Sequence, residues 1–505
     1  MDTPQYPQMN RVVVGGLALL TLLLHLATNS HYGYHGDELY FIACGEHLDW
    51  GYVDHAPLIA VWAKLSRTLL GDSLFAIRLA PALAGALTVW LTGAMARRMG
   101  GGTFAQGVGA LAVAIAPAYL RAGNMLCIPG MELLWWTLAT YLVVIILKED
   151  RQILWLLVGV AAGIGLMHKH SMLFWGFGLT VGLLFTSARR CFLKPWIWLG
   201  GAIATLILLP NIIWQIHNDW PTLEFLRIIN REVMSGISIV QFGAGQVLYL
   251  HPVSLPVWLA GLVFFFATRR GNPWRVFGWQ YVIVLVTLIS IRSKIYYLMP
   301  IYPVLLAGGA VAIEGQLPKW RARWLRPLIL GVMAAGGAAL APVGLPLLPL
   351  DAYSRYVRIV SFGLLDNIWE VAHDYYFMCG WQEQVTAVAD VYRALPDDER
   401  DVCAIVGGSY SRAGAIDFFG SEYGVPKAIS WHLSYYLWGH GEWPGEVLVT
   451  LGVSPELLEE FYDDVTIARR VHMAYCVPFM QDTPVCICRK PKMTLDEIWK
   501  CIHPW

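Results

Sequence analysis

Residues 12–40 read VVVGGLALLTLLLHLATNSHYGYHGDELY, and the fold follows from the abrupt change inside that stretch. An uncharged apolar run, Val12 to Ala27, passes directly into a polar and aromatic segment that carries two adjacent carboxylates, Asp37 and Glu38. A helix needs about 20 apolar residues to cross the hydrocarbon of a bilayer. The run has no small-residue cleavage site at a suitable distance, so the reading is a retained first membrane helix rather than a cleaved signal.

Working outward, the same ruler finds about eleven such runs, near 12–30, 76–96, 105–120, 131–147, 153–168, 171–187, 196–214, 246–267, 276–291, 297–313 and 327–348. Composition agrees: 57% of the 505 residues are hydrophobic and only 14% are charged, against about 25% charged in soluble globular chains. The 23 Trp suit a chain with many membrane–water boundaries. The formal net charge is zero, so no basic surface argues for nucleic acid as a partner.

With the N-terminus inside, the loops after the even-numbered runs hold Arg97 and Arg98, Lys148 and Arg151, Arg189, Arg190 and Lys194, Arg269, Arg270 and Arg275, then Lys319, Arg321, Arg323 and Arg326. The intervening loops are poorer in Lys and Arg, which is the positive-inside pattern. An odd number of spans then leaves the C-terminal segment outside. The reading is a polytopic α-helical membrane domain over 1–350, with a long outer loop at 31–75 and a second at about 215–245, followed by a periplasmic α/β domain over 351–505. In that last segment charges become frequent, and short apolar runs such as Val402–Val406 and Glu446–Leu451 alternate with Gly- and Asp-rich turns. Ser454-Pro455-Glu456 reads as an N-cap, a first-position Pro and the start of a helix to Phe461. Six of the nine cysteines lie beyond residue 378, where an oxidising compartment would permit a disulfide. Cys486-Ile487-Cys488 also has a metal-binding look, but no second Cys/His pair of zinc-site spacing accompanies it.

The chemistry concentrates in the first outer loop. His35-Gly36-Asp37-Glu38-Leu39-Tyr40 places two carboxylates just beyond a membrane helix, where they are costly unless solvated, paired or used. A glycosyl transfer needs a carboxylate to take the proton of the attacking hydroxyl. With a phosphate as leaving group it needs cations rather than a strong acid. The other reading of the pair is an acidic loop that caps the following helix. Further along the loop, Asp54 and His55 are candidates to ligate a divalent cation, or, through a protonated imidazole, to hold a phosphate; the alternative is an ordinary loop hydrogen bond. Lys169, flanked by His168 and His170, stands at an outer boundary, either as a phosphate contact or as an interfacial anchor. Trp220 and His217 in the second outer loop are candidates to contact sugar or acceptor.

These elements, in this order, resemble the family 39 glycosyltransferases, which include protein O-mannosyltransferases and lipid A aminoarabinose transferases. The resemblance covers nearly the whole chain. It rests on Asp37-Glu38 after the first span, Asp54-His55-Ala56-Pro57-Leu58 later in the loop, Lys169-His170-Ser171 between spans five and six, and Leu209-Pro210-Asn211 with Trp214-Gln215 at the end of span seven. Lys294-Ile295-Tyr296-Tyr297-Leu298-Met299-Pro300-Ile301-Tyr302-Pro303 fits the segment before a late helix. Residues Ala413–Phe418 and Ser434–Gly439 resemble a tail found in bacterial members.

The resemblance implies a GT-C fold, a polyprenyl-phosphate-linked sugar as donor, and transfer to a lipid, glycan or protein acceptor at the periplasmic face of the inner membrane. Carried over by position, it implies Asp37 as base with Glu38 supporting it. Asp54 takes the place of the family's second loop carboxylate, ordering the site or binding a divalent metal. Lys294 and Arg292 are implied to bind the donor phosphate, helped by His55 and Lys169. Relatives carry a further acidic residue at the outer start of span four; in Cys127-Ile128-Pro129-Gly130-Met131-Glu132 only Glu132 is available, which leaves metal dependence open. The competing class is a transporter or flippase of lipid-linked sugars. That class predicts ionisable residues at mid-membrane and an internal repeat, whereas here the carboxylates gather in outer loops and no repeat is evident.

Overall fold

The computed structural model describes residues 7–232, 237–318, 321–360 and 373–502; Lys319, used above for orientation, and residues 233–236 of the second outer segment lie outside them. Two compact units emerge. The first holds Met1–Asn29, His55–Ile59 and Phe75–Leu347, the second Ser30–Asp54, Ala60–Leu74 and Leu348–Trp505.

The first unit is a helical membrane bundle. Among the described residues, seven helices are long and apolar enough to cross a bilayer: Arg11–Thr28, Leu74–Arg98, Ile128–Glu149, Pro195–His217, Asn272–Ser290, Ile295–Gln316 and Leu325–Gly344. Two bent pairs raise the count to nine, and Thr103–Ala114 and Gln152–His168 are shorter apolar helices. Every run read from sequence is therefore helical, but not every run is one straight span. The run at 246–267 is broken by a 94° bend between Ile239–Leu250 and Pro252–Ala267. The bend falls at His251, whose φ of 82° lies in the left-handed region and whose successor is Pro252. The run at 171–187 ends at Leu184, and the chain turns through 109° into Ser187–Leu193.

Small residues let these helices approach closely, as expected where lipid removes the hydrophobic incentive to associate. The Leu255–Ala267 helix packs on Tyr302–Gln316 where a Cβ at Gly309 would overlap the Val257 carbonyl and one at Gly261 would overlap the Leu305 carbonyl. Around them a continuous core forms from residues such as Trp136, Phe265, Phe277, Leu288 and Leu305.

The second unit is built on a five-stranded sheet, β1 (Cys403–Gly407), β2 (Ala428–Ile429), β3 (Val447–Leu451), β4 (Tyr462–His472) and β5 (Asp482–Pro491), in the order β2-β1-β3-β5-β4. β1 is parallel to β2 and β3, while β5 runs antiparallel to β3 and β4. β1 and β3 are buried along their whole length, the pattern of strands covered on both faces. The helix expected after Ser454 runs over Pro455–Phe461, and the Ser454 side chain accepts from the Leu457 amide at 3.3 Å. Cys486 and Cys488 fall on one side of β5 and are core residues beside Leu448 and Ala404, not a metal pair. All nine cysteines are free thiols.

The 31–75 stretch differs from the expected loop. It contains two helices, Gly36–Glu46 and Leu58–Leu70, and its two parts, Ser30–Asp54 and Ala60–Leu74, fold with the C-terminal segment rather than with residues 1–350. The reason lies in packing. Gly36 is covered by the Phe377 and Trp381 rings, which a Cβ there would strike, and its amide donates to the Phe377 carbonyl at 3.3 Å. Tyr34 packs on Phe418 with ring centroids 4.8 Å apart. At the far end of the Gly36–Glu46 helix, Glu46 is held by Arg67 at 2.9 Å and by Lys427.

Candidate active site

Asp37 and Glu38 open the Gly36–Glu46 helix, and the two carboxylates have different environments. His35 is the N-cap: its Nδ1 accepts from the Asp37 amide at 3.1 Å, and Glu38 Oε2 accepts from the His35 amide at 2.9 Å, a complete capping box. Glu38 is fully buried. Its carboxylate turns back on the helix start and so helps to fix the turn that carries Asp37. With Nδ1 used as acceptor, the His35 proton falls on Nε2, which faces Asp374 Oδ1 at 3.9 Å.

The Asp37 side chain is 39% exposed. Its Oδ1 accepts a 2.7 Å hydrogen bond from the Tyr410 hydroxyl, at the start of the Tyr410–Phe419 helix. Burial, and next the Asp37 charge, push the Tyr410 phenol well above its ordinary range, so it stays a proton donor. The Tyr410 ring is stacked on His432 at 5.2 Å and tilted against Tyr40 at 4.8 Å. Burial lowers the His432 imidazole to about 4, and its Nδ1 accepts from the Tyr410 amide at 3.3 Å. The orientation of the Asp37 carboxylate is therefore set by a phenol that is itself fixed on two sides.

Asp54 joins the same unit through Tyr40. The buried Tyr40 hydroxyl lies 2.9 Å from Asp54 Oδ1 and 2.7 Å from Ser434 Oγ, and Ser434 Oγ accepts from the Val53 amide at 3.2 Å. A phenol has one proton to donate, and a carboxylate only accepts, so the proton goes to Asp54 and Ser434 donates to the Tyr40 oxygen. Burial, and next Asp54, push the Tyr40 phenol well up. Tyr410, Ser434 and His432 were not singled out from sequence as site residues. No spacing marks them, since they lie hundreds of residues from the carboxylates they serve.

The first unit gathers the cations. Lys169 Nζ pairs with Glu132 Oε2 at 2.8 Å, and Ser171 Oγ donates to the other oxygen of that carboxylate. The ammonium also lies over the Tyr297 ring at 4.2 Å and the Tyr296 ring at 5.2 Å. Three motifs quoted separately from sequence thus meet in one cluster, and Glu132 is held by a cation. His170 Nε2 lies 2.9 Å from Asn211 Oδ1, and His168 Nε2 is 2.9 Å from the Ile128 carbonyl. His55 is buried, with Nδ1 2.9 Å from the Ala56 carbonyl, and lies within electrostatic reach of both His168 and His170.

Lys294 precedes the Ile295–Ile301 turn, which is anchored by Gln246 on the Ile295 carbonyl at 2.9 Å and by the Tyr119 hydroxyl on the Met299 carbonyl at 2.7 Å. Lys294 is half-buried and, among the described residues, its ammonium makes no hydrogen bond or ion pair. Arg292 is exposed, with φ of 50°. His217 and Trp220 are exposed at the end of the Pro195–His217 helix, beyond Asn211. Among the described residues no three His, Cys, Asp or Glu side chains come together as a metal site. The carboxylates Asp54 and Glu132 are each held by a hydroxyl or an ammonium.

The family described as dolichyl-phosphate-mannose-protein mannosyltransferase matches residues 54–214, a stretch that includes Asp54, His55, Glu132 and Lys169 but neither Asp37 nor Lys294. The lipid A galacturonosyltransferase RgtD of Rhizobium johnstonii is 25% identical over 295 residues; the match spans 56% of this chain and 61% of that relative's length. ArnT from Cupriavidus metallidurans bound to undecaprenyl phosphate superposes with a TM-score of 0.62 at 15% identity, covering 94% of this chain and 97% of that one. Its apo form gives 0.61 at 17% identity over the same shares. The oligosaccharyltransferase AglB from Archaeoglobus fulgidus, in complex with an inhibitory peptide and a dolichol-phosphate, reaches 0.50 at 12% identity, covering 89% of this chain and 70% of that one. At such identities the likeness is one of fold, and the fold is the GT-C membrane fold read from the sequence motifs.

Proposed function

We propose that this multi-pass membrane protein is a glycosyltransferase that moves a sugar from a polyprenyl-phosphate donor to a lipid, glycan or protein acceptor, working at the periplasmic face of a bacterial inner membrane. The observation that carries the reading is Asp37: a partly exposed carboxylate at a capped helix start, with one oxygen fixed by Tyr410 and the other 3.8 Å from His35 Nδ1. A general base needs a free lone pair and a fixed direction, and Asp37 has both. Support for the donor class comes from the relatives, two of which were solved with a prenyl phosphate bound.

The roles divide as follows. Asp37 takes the proton of the acceptor hydroxyl as that oxygen attacks the anomeric carbon, displacing the lipid phosphate with inversion. Lys294, whose ammonium is unpaired among the described residues, binds the departing phosphate with Arg292 beside it. Charge stabilised in this preorganised way lowers the barrier more than the same charge in water. Lys169, being already paired with Glu132, contributes to the phosphate only in a secondary way. His55, within reach of His168 and His170, adds positive charge only when protonated. His217 and Trp220 are left for acceptor or sugar contact.

The test is sugar transfer by purified protein in nanodiscs, with a panel of polyprenyl-phosphate sugars and release of free polyprenyl phosphate as readout. Release by the wild type and its loss in folded Asp37→Asn supports the reading. Undiminished turnover by that variant sinks the assignment of the base, and no consumption of any donor with crude envelope acceptors present sinks the activity.

A further inference from the structure

On the first unit, lined by none of the candidate active-site residues, a groove of about 530 Å³ opens at the end of the bundle where three helices begin. Leu17 and Leu20 of the Arg11–Thr28 helix line one side, Phe104 and Leu111 of Thr103–Ala114 the floor, and Arg326 and Leu330 of Leu325–Gly344 the other side. Gly16 widens it, since a Cβ there would meet nothing within 4 Å. The two helix starts are tied together: Asn10, the N-cap of the first, donates from its side chain to Thr103 at 3.3 Å and from its amide to Gln106 at 2.9 Å. The groove is thus a fixed feature of the bundle.

Its lining is almost wholly apolar and includes no acidic residue; Arg326 is its one charge. The guanidinium lies over the Phe104 ring at 5.4 Å. Its Nε is buried and, among the described residues, makes no hydrogen bond. A buried guanidinium donor without an acceptor is costly, and a planar donor fork at the mouth of a hydrocarbon-lined slot matches a phosphodiester in shape and charge. Arg11, Arg321 and Arg323, all exposed and all at the starts of these same helices, add positive charge around the mouth.

We propose that this groove is a binding site for an anionic phospholipid, with one acyl chain along Leu17, Leu20 and Leu111 and the phosphate on Arg326. From Val13 to Leu20 the groove runs about 10 Å along the helix axis, enough for the upper half of an acyl chain. The sign of the headgroup is what the arginine decides: a zwitterionic lipid carries its own cation to the same place.

The experiment is native mass spectrometry of the full-length protein released from detergent with defined mixtures of dioleoyl phosphatidylglycerol and dioleoyl phosphatidylcholine. The wild type retains phosphatidylglycerol preferentially. Arg326→Gln loses that preference by about fivefold, the size of one basic residue's attraction to an anionic leaflet, while Arg326→Lys keeps most of it. Gly16→Leu, which fills the slot, lowers retention of both lipids with an unchanged circular dichroism spectrum. Equal retention of the two lipids by the wild type, or an Arg326→Gln protein as selective as the wild type, overturns the proposal.

Discussion

The Tyr410 hydroxyl donates a 2.7 Å hydrogen bond to Asp37 Oδ1 across 373 residues of sequence. The phenol orders the carboxylate but is no part of the reaction itself, so Tyr410→Phe should leave the fold and donor KM intact and lower kcat about tenfold. A variant with wild-type kcat would refute this.

Tyr40 should behave differently. It is buried and bridges Asp54 and Ser434, so Tyr40→Phe strands both partners in the second unit. The expected cost is about 1–3 kcal/mol of stability. Differential scanning fluorimetry should read a lower melting temperature before any change in donor affinity; an unchanged melting temperature contradicts it.

Lys169 and the buried Glu132 form a largely buried pair. Removing one partner of such a pair typically costs about 3–5 kcal/mol, whereas replacing both costs far less. Lys169→Met alone should therefore lower the melting temperature by several degrees, and Lys169→Met with Glu132→Gln should restore most of the loss. If the double variant is no better than the single one, the cation's work is on a ligand rather than on Glu132.

Gly36 has no room for a side chain beneath Phe377 and Trp381. Gly36→Ala should displace the start of the Gly36–Glu46 helix and destabilise the second unit by about 1–3 kcal/mol, as overpacking does. Limited proteolysis at 31–75 would report it, and a wild-type digestion pattern would count against it.

Asp417 gives a pH prediction. It accepts from the Tyr435 hydroxyl and the Ala428 amide, both at 2.7 Å, yet burial raises its carboxyl to about 6. Because the folded value lies above the unfolded one, the native state holds the proton longer. Stability should fall as pH rises from about 4 to about 6 and level off above, by at most about 3 kcal/mol. Asp417→Asn should flatten that slope in denaturation experiments run from pH 4 to 7; an identical slope excludes Asp417 as its source.

The membrane helices were legible because a bilayer demands long uninterrupted apolar runs, and each such run is a helix here. The bend at His251 was not, since a left-handed residue before Pro252 leaves no trace in hydropathy. The sheet was legible from Val402–Val406 and Glu446–Leu451, and the Pro455–Phe461 helix from its cap. Asp37 announced itself by charge beside an apolar run; that Glu38 closes a capping box with His35 was not legible, because only the folded helix start brings the two together. Tyr410 and Ser434 were invisible for a physical reason: their roles arise from tertiary contacts across more than 370 residues, which no local pattern encodes, and His432 matters only through Tyr410.

That separation also governs how the protein comes into being. The Gly36–Glu46 helix leaves the ribosome long before the chain that packs against it, from Phe377 and Tyr410 to Ser434. Until then the segment that carries Asp37 lacks its packing partners, and the carboxylate lacks the Tyr410 hydrogen bond that fixes its direction. Order at Asp37 is therefore acquired after synthesis of the Tyr410 segment, not with that of the helix that carries it.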